Sequence, residues 1–130
     1  MHPIRIGIVG LGIMGRRYYR MLQDLAGVEV TALCVRHLDT IQDLPGAKFA
    51  DYRLLCASGQ VDAVLIATPH YSHPQVAIEA LHCGLHVLVD KPLAVHAADG
   101  RRMLAAYRDP RLRFGVMFQE RSRPLYMKIK

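Results

Sequence analysis

A short apolar run, Ile4-Arg5-Ile6-Gly7-Ile8-Val9, leads without interruption into Gly10-Leu11-Gly12-Ile13-Met14-Gly15. No other stretch constrains the chain as tightly. The run reads as a strand that turns directly into a helix through Gly-x-Gly-x-x-Gly. The first glycine allows the tight turn, the second lets backbone approach a pyrophosphate, and the third lets helix and strand pack closely. The free N–H groups and the positive dipole end of the helix then face the anion. The glycine spacing alone is weak; placed at residue 10, between strand and helix, it reads as a dinucleotide site.

Downstream, strands alternate with helices. Residues 28–35 form a second strand, 62–67 a third that lacks polar alternation and is therefore buried on both faces, 86–89 a further buried strand and 114–118 a last one. Between them, Met14, Tyr18, Leu22 and Leu25 fall on one face of a helix ended by Gly27. Residues 39–49 read as a short helix or turn and a connection, and 52–58 as a short helix. Ser72-His73-Pro74 opens a helix closed by Gly84, and 94–108 is helical despite Gly100. The expected fold is α/β: a Rossmann doubly wound, mostly parallel six-stranded sheet with helices on both faces. Ligands in such sheets bind beyond the carboxyl ends of the strands. The candidates are the residues that follow each strand: Gly10 to Gly15, Val35-Arg36-His37, Thr68 to His73, Asp90-Lys91-Pro92 and Gln119-Glu120-Arg121.

Composition bounds the alternatives. At 130 residues the length suits one domain, and 52% hydrophobic with 22% charged residues argues against disorder. No apolar run approaches the roughly 20 residues of a membrane span, and no signal peptide fits before the first strand, so a cytoplasmic location is expected. The three cysteines, Cys34, Cys56 and Cys83, read as free buried thiols in a reducing compartment. The net charge of +6 is carried mostly by arginine, scattered over several elements and not interleaved with aromatics, so no nucleic-acid partner is expected. His70-x-x-His73 and His82-Cys83-x-x-His86 fall short of the roughly four ligands of a structural site, so no metal is expected. Arg16 and Arg17, just past the third glycine, either assist the pyrophosphate or are solvated first-turn arginines.

Between Glu29 and Asp39 no acid stands where NAD binders place one for the ribose 2′-hydroxyl; the strand ends in Val35-Arg36-His37. Arg36 suits a 2′-phosphate, which tilts the cofactor from NAD towards NADP, although a loop arginine can also be solvated or stack on adenine in either cofactor. Asp90-Lys91-Pro92 follows a buried strand. Its carboxylate could tune the lysine for proton transfer, or the two could form a surface ion pair before a turn.

Taken jointly, Gly10 to Gly15, Ala67-Thr68-Pro69-His70-x-x-His73, Ala80-Leu81-x-x-Gly84-x-His86-Val87-Leu88-Val89-Asp90-Lys91-Pro92-Leu93 and Phe118-Gln119-x-Arg121 resemble the glucose–fructose oxidoreductase, inositol dehydrogenase and MocA-like family. The resemblance covers the whole chain. It implies an NAD(P)-dependent oxidoreductase acting on sugars, cyclitols or related polyols. Carried over by position, it implies Lys91 as a catalytic or substrate-orienting residue near the nicotinamide, with Asp90 in place of the family's Glu. His70 stands in place of its Asn, and His73 lies near the nicotinamide half as a second catalytic candidate. The implied cofactor-binding set is Gly10, Gly12, Ile13, Met14, Gly15, Arg36, Thr68, Pro69, His70, His73, Asp90, Lys91 and Gln119.

The resemblance also implies a second, substrate-binding domain. Residues 1–120 are then the dinucleotide-binding domain, and 121–130 the start of the connection to a domain absent from this chain. A truncated chain of this kind is expected to bind the dinucleotide without turning over alone. It is also expected to form a homo-oligomer or to self-associate through apolar residues left uncovered at 114–118, Leu125, Tyr126 and Ile129. A non-catalytic dinucleotide-binding or sensor module on the same fold stays open, and Lys91 separates the two, since a sensor does not need a lysine at the nicotinamide end.

Overall fold

The computed structural model describes residues 2–128. Its elements run β1 (Ile4–Val9), α1 (Ile13–Gln23), β2 (Val28–Cys34), a 3-10 turn (Leu38–Ile41), β3 (Ala47–Phe49), α2 (Tyr52–Ala57) and β4 (Ala63–Ile66). A 3-10 turn (His70–Ser72), α3 (His73–His82), β5 (His86–Asp90), α4 (Ala97–Ala106), β6 (Phe114–Met117), a 3-10 turn (Gln119–Ser122) and α5 (Pro124–Met127) complete the order. The six strands lie in the order β3-β2-β1-β4-β5-β6, and every pairing is parallel. This is the doubly wound sheet expected from the strand–helix alternation.

The pleat sends successive residues to opposite faces, and each face has its own apolar layer. Val9, Ala32, Cys34, Val64, Ile66, Val87 and Val89 pack with Leu55 of α2, Val76, Ala77 and Ala80 of α3 and Met103 of α4. The intervening Ile8, Leu33 and Leu65 pack with Tyr18 and Tyr19 of α1 and with Ile41. β4 is thus buried on both sides, which is why its sequence carries no polar alternation. Pro74 in the first turn of α3 needs no intrahelical N–H partner, and Ser58, Gly59 and Gly84 close α2 and α3.

The structure departs from expectation at several points. β3 falls inside the segment read as turn and connection. At three residues it is too short to show a period, and it begins just after Gly46, which has φ +106°. α1 ends at Gln23, so Gly27 sits in the loop before β2, and Leu25 is 55% exposed and off the helix face. α4 begins at Ala97 because His96 is extended. Cys34 and Cys56 are buried, but Cys83 is exposed at the end of α3. Burial pushes the Cys34 thiol up to about 11 and the Cys56 thiol up to about 12, so both are protonated near neutrality. Of the 121–130 segment, Ile129, Lys130 and the side chain of Tyr126 lie outside the described residues.

At the amino ends of the strands, Asp62 locks β1 to the loop before β4. Its carboxylate accepts from the Arg5 backbone N–H at 2.9 Å, from Nε at 3.1 Å and from Nη2 at 2.8 Å. These bonds hold the Asp62 pKa below its ordinary 3.8. A lowered folded-state pKa stabilises above the unfolded value and loses that stabilisation as pH falls through the folded one. Asp62→Asn is therefore expected to lower the urea midpoint at neutral pH, with the gap to the unaltered chain closing in acid below 3.8. A gap that stays constant across a pH series of urea melts contradicts this assignment.

Candidate functional site

The parallel strands end on one edge, and the strand order changes direction at β1, between β2 and β4. A crevice opens there, as it must where helices leave the sheet on opposite faces. It holds a cavity of about 590 Å³ whose lining includes Gly10, Gly12, Arg36, Thr68 and Pro69.

Three glycines shape the floor. Gly10 has φ +92°, and a Cβ there would stand 2.7 Å from the Ala67 carbonyl oxygen, so the β1 turn rests directly on the end of β4. A Cβ on Gly15 would overlap the Gly10 carbonyl, so α1 can start this close to its own turn only without one. A Cβ on Gly12 would meet nothing within 4 Å, which leaves open space in front of the loop. The first helical bond runs from the Arg16 N–H to the Gly12 carbonyl at 3.0 Å, so the preceding amides of Ile13, Met14 and Gly15 have no partner within the helix. The Ile13 side chain is 89% exposed, whereas Met14 packs against the apolar layer under α1, so its backbone is what it offers a ligand.

One end of the cavity is cationic. Arg36 is exposed in the loop after β2, and Arg53 lines the same cavity from the start of α2, its guanidinium 4.7 Å from the Tyr52 ring centroid. Arg16 donates to the Thr40 carbonyl at 2.6 Å, which ties the glycine-loop helix to the turn beneath Arg36. Asp51 also lines this end; it caps α2 by accepting the Arg53 N–H at 2.8 Å. No acid stands between the end of β2 and Asp39, yet the residue pair after β3 brings Asp51 to the cavity. Asp51, Tyr52 and Arg53 were absent from the sequence-based candidates because the strand that places them was not visible.

Beyond the cavity lining, which reaches Thr68, Pro69 and Ser72, the same sheet edge carries the remaining candidates. The Ser72 hydroxyl lies 2.6 Å from Thr68 Oγ1 and fixes the wall beside the cavity. Lys91 is exposed at the end of β5. The Asp90 carboxylate does not meet the lysine ammonium: among the described residues no ion pair joins them. Instead Asp90 Oδ1 accepts from the Tyr18 hydroxyl at 2.7 Å and from the Lys91 backbone N–H at 3.0 Å. Burial first, then this bond to Asp90, raises the Tyr18 hydroxyl well above its ordinary pKa, so it stays a donor. The sequence places Tyr18 only on the apolar face of α1; the missed signal is that a buried tyrosine hydroxyl needs a partner.

His73 differs from expectation. Its ring is fully buried, with Nδ1 2.9 Å from the Pro92 carbonyl and Nε2 3.0 Å from the Thr68 carbonyl, so no ring nitrogen is left for a ligand. His70 is exposed, its ring 5.6 Å from that of His73. Gln119 lies past the end of β6, and its Oε1 is buried with no hydrogen-bond partner.

These features fit a dinucleotide. The open face of Gly12 and the unpaired amides of α1 suit a pyrophosphate, the cationic end suits an adenosine ribose or its phosphate, and the orphaned Gln119 carbonyl oxygen suits a donor such as a carboxamide. A parallel sheet in this order, with a glycine floor at its switch point, defines a dinucleotide-binding Rossmann domain.

Comparison with known proteins agrees. A family described as an oxidoreductase family with an NAD-binding Rossmann fold, GFO_IDH_MocA, matches residues 4–118. The inositol 2-dehydrogenase of Salmonella paratyphi B is 34% identical over 110 residues, 79% of this chain and 33% of the relative. The WlbA dehydrogenase of Bordetella pertussis, solved with NADH and UDP-GlcNAcA, superposes with a TM-score of 0.91 at 29% identity, covering 99% of this chain and 41% of the other. KijD10 of Actinomadura kijaniata, a 3-ketoreductase solved with TDP-benzene and NADP, gives a TM-score of 0.89 at 28% identity, covering 98% and 42%. The chain belongs to the Gfo/Idh/MocA oxidoreductase family and spans about a third of the length of the curated relative. No helix among the described residues is long and apolar enough to cross a membrane.

The glycines predict a separation of folding from binding. Gly12→Ala should melt close to the unaltered chain yet lose about tenfold or more in NADH or NADPH affinity, measured by fluorescence titration. Gly15→Ala forces a clash with backbone and should cost about 1–3 kcal/mol or more in a denaturant melt. Equal effects of the two substitutions on stability would show that the floor is not built this way.

Proposed function

We propose that this chain is the cofactor-holding part of an oxidoreductase that moves hydride between NADP or NAD and a sugar, cyclitol or related polyol. The observation that carries the proposal is the convergence on one sheet edge of the glycine floor, the cationic end at Arg36 and Arg53, and Lys91 at the end of β5. Residues 1–120 form the dinucleotide-binding domain and 121–130 lead out of it; the chain binds the dinucleotide but does not turn over alone. The inositol 2-dehydrogenase is named for a cyclitol and the WlbA dehydrogenase was solved with UDP-GlcNAcA, which supports that substrate class, while a further relative is named for a chlorinated dihydroxycyclohexadiene. A reducing, cytoplasmic setting suits the buried thiols at Cys34 and Cys56.

When bound, the nicotinamide supplies the carbon that takes or gives the hydride. The first-turn amides of Ile13, Met14 and Gly15 bind the pyrophosphate. Arg36 pairs with a 2′-phosphate, with Arg53 adding charge from the facing wall, and this favours NADP. Asp51 competes in the opposite sense, but it is engaged in capping α2 and pairing with Arg53 at 3.6 Å. Thr68, Pro69 and Gln119 line the nicotinamide side. His70, exposed beside them, can donate to a ligand there. Lys91 exchanges a proton with, or donates a hydrogen bond to, the substrate hydroxyl whose carbon gives up hydride. A sensor module does not need this last group.

Titration with both cofactors tests the reading. Arg36→Glu should cost NADPH about tenfold or more in affinity and leave NADH nearly unchanged; equal losses for the two cofactors refute the 2′-phosphate role. Lys91→Ala should bind either cofactor as before. In an active protein that contains this chain it should slow turnover about 10²- to 10⁴-fold, and unchanged turnover would remove Lys91 from the catalytic role. Copies of the chain are proposed to associate through the β6 edge and the exposed Phe118, Leu125 and Met127. Light scattering that stays monomeric at high concentration would exclude this.

A further inference from the structure

Lys91 sits in an exposed tripeptide, and what fixes it is two side chains from elsewhere in the fold. On its amino side, Asp90 Oδ1 holds the Lys91 N–H at 3.0 Å and is itself held by the Tyr18 hydroxyl at 2.7 Å. Tyr18 is 5% exposed and lies on α1, one turn from the glycine floor. On its carboxyl side, the Pro92 carbonyl lies 2.9 Å from His73 Nδ1, and the other ring nitrogen is 3.0 Å from the carbonyl of Thr68, a wall residue of the cavity. His73 is completely buried at the start of α3. Carbonyl oxygens only accept, so each ring contact needs an N–H: a neutral ring serves one carbonyl, a protonated ring both.

We infer that Tyr18 and His73 are positioning residues that fix Lys91 at the sheet edge that also carries the cofactor cavity, one from each of the helices that begin at its floor and wall. The inference rests on the proposed role of Lys91 at the nicotinamide end. Neither side chain needs to touch a ligand, because each acts through the backbone on either side of Lys91. A packed helix terminus is a stiff support, and a misplacement of about 1 Å at a reacting group can cost on the order of 10²-fold in rate. The bracket therefore supplies what an exposed lysine after a strand lacks, a fixed origin relative to the glycine loop. It also gives Asp90 a function that does not depend on charge contact with Lys91.

The test uses the chain itself, with NADH and NADPH as probes. Amide hydrogen exchange is followed at Lys91 and, as a reference for global stability, at buried Met103 of α4. Tyr18→Phe removes one hydroxyl and keeps the ring; His73→Leu removes both ring contacts; His73→Gln restores two N–H donors on one nitrogen. Tyr18→Phe and His73→Leu should each speed exchange at Lys91 about tenfold relative to Met103, and His73→Gln should recover part of that. In parallel, the NMR signal of the methylated Lys91 amine should respond to added NADPH or NADH in the unaltered chain and respond less in Tyr18→Phe, at equal cofactor saturation. Exchange at Lys91 that rises only in step with Met103, in Tyr18→Phe and in whichever His73 variant folds, overturns the inference. An unaltered chain that binds neither NADH nor NADPH overturns the proposed function instead, while exchange at Lys91 still decides the bracket.

Discussion

The contact on which the rest of this structure depends is the close approach of the first strand–helix turn to the end of β4. Gly10 lies against the Ala67 carbonyl, and the first turn of α1 passes the Gly10 carbonyl at Gly15. Neither approach leaves room for a Cβ, so the floor is set by backbone against backbone, the least deformable kind of contact a protein offers. Everything on the ligand-facing edge is referred to it. β2 and β4 flank β1 and diverge on its two sides, which opens the crevice; the helix that leaves the floor carries both the free amides and Tyr18. A parallel sheet buried on both faces gives this edge a rigid base, since Val64, Leu65 and Ile66 each pack into one of the two apolar layers.

Polar contacts then divide the edge into two functional ends. At the cationic end the groups are held loosely: Arg36 and Arg53 are exposed, and the pairing of Arg53 with Asp51 is long. Exposed arginines of this kind act on an anion's approach and on the choice between charged ligands more than on stability. At the other end the groups that matter are held by buried partners. The Tyr18 hydroxyl and the His73 ring lie in water-poor surroundings, where an unmade hydrogen bond is costly and a made one is directional. Lys91 is thus the exposed tip of a buried network, which fixes its backbone while its side chain faces solvent.

Much of the fold was legible because its signals are local. The glycine spacing after β1, the unbroken apolar run of β4 and the Pro74 start of α3 each report their own segment. β3 was not legible because three residues at a sheet edge carry no period, and its loss hid Asp51, Tyr52 and Arg53 from the candidate site. Leu25 misled because it keeps helical spacing beyond the point where the chain leaves the helix at Gln23. The surroundings of His73 were not legible: the family resemblance implies a place near the nicotinamide half, while the folded ring is buried with its two nitrogens facing the Pro92 and Thr68 carbonyls.

By itself the amino-acid sequence determined the class: alternating strands and helices around a glycine turn bury their apolar runs in a parallel sheet covered by helices, and the joint motifs placed the chain in its family. Tertiary structure decided what each polar residue at the edge does. Tyr18 meets Asp90 across 72 positions and His73 meets Pro92 across 19, separations over which residue type alone predicts no partner. The physical reason is that apolar burial follows from pattern, which is local and summed over many residues. A hydrogen bond follows from the meeting of two atoms, and that depends on how the sheet is ordered.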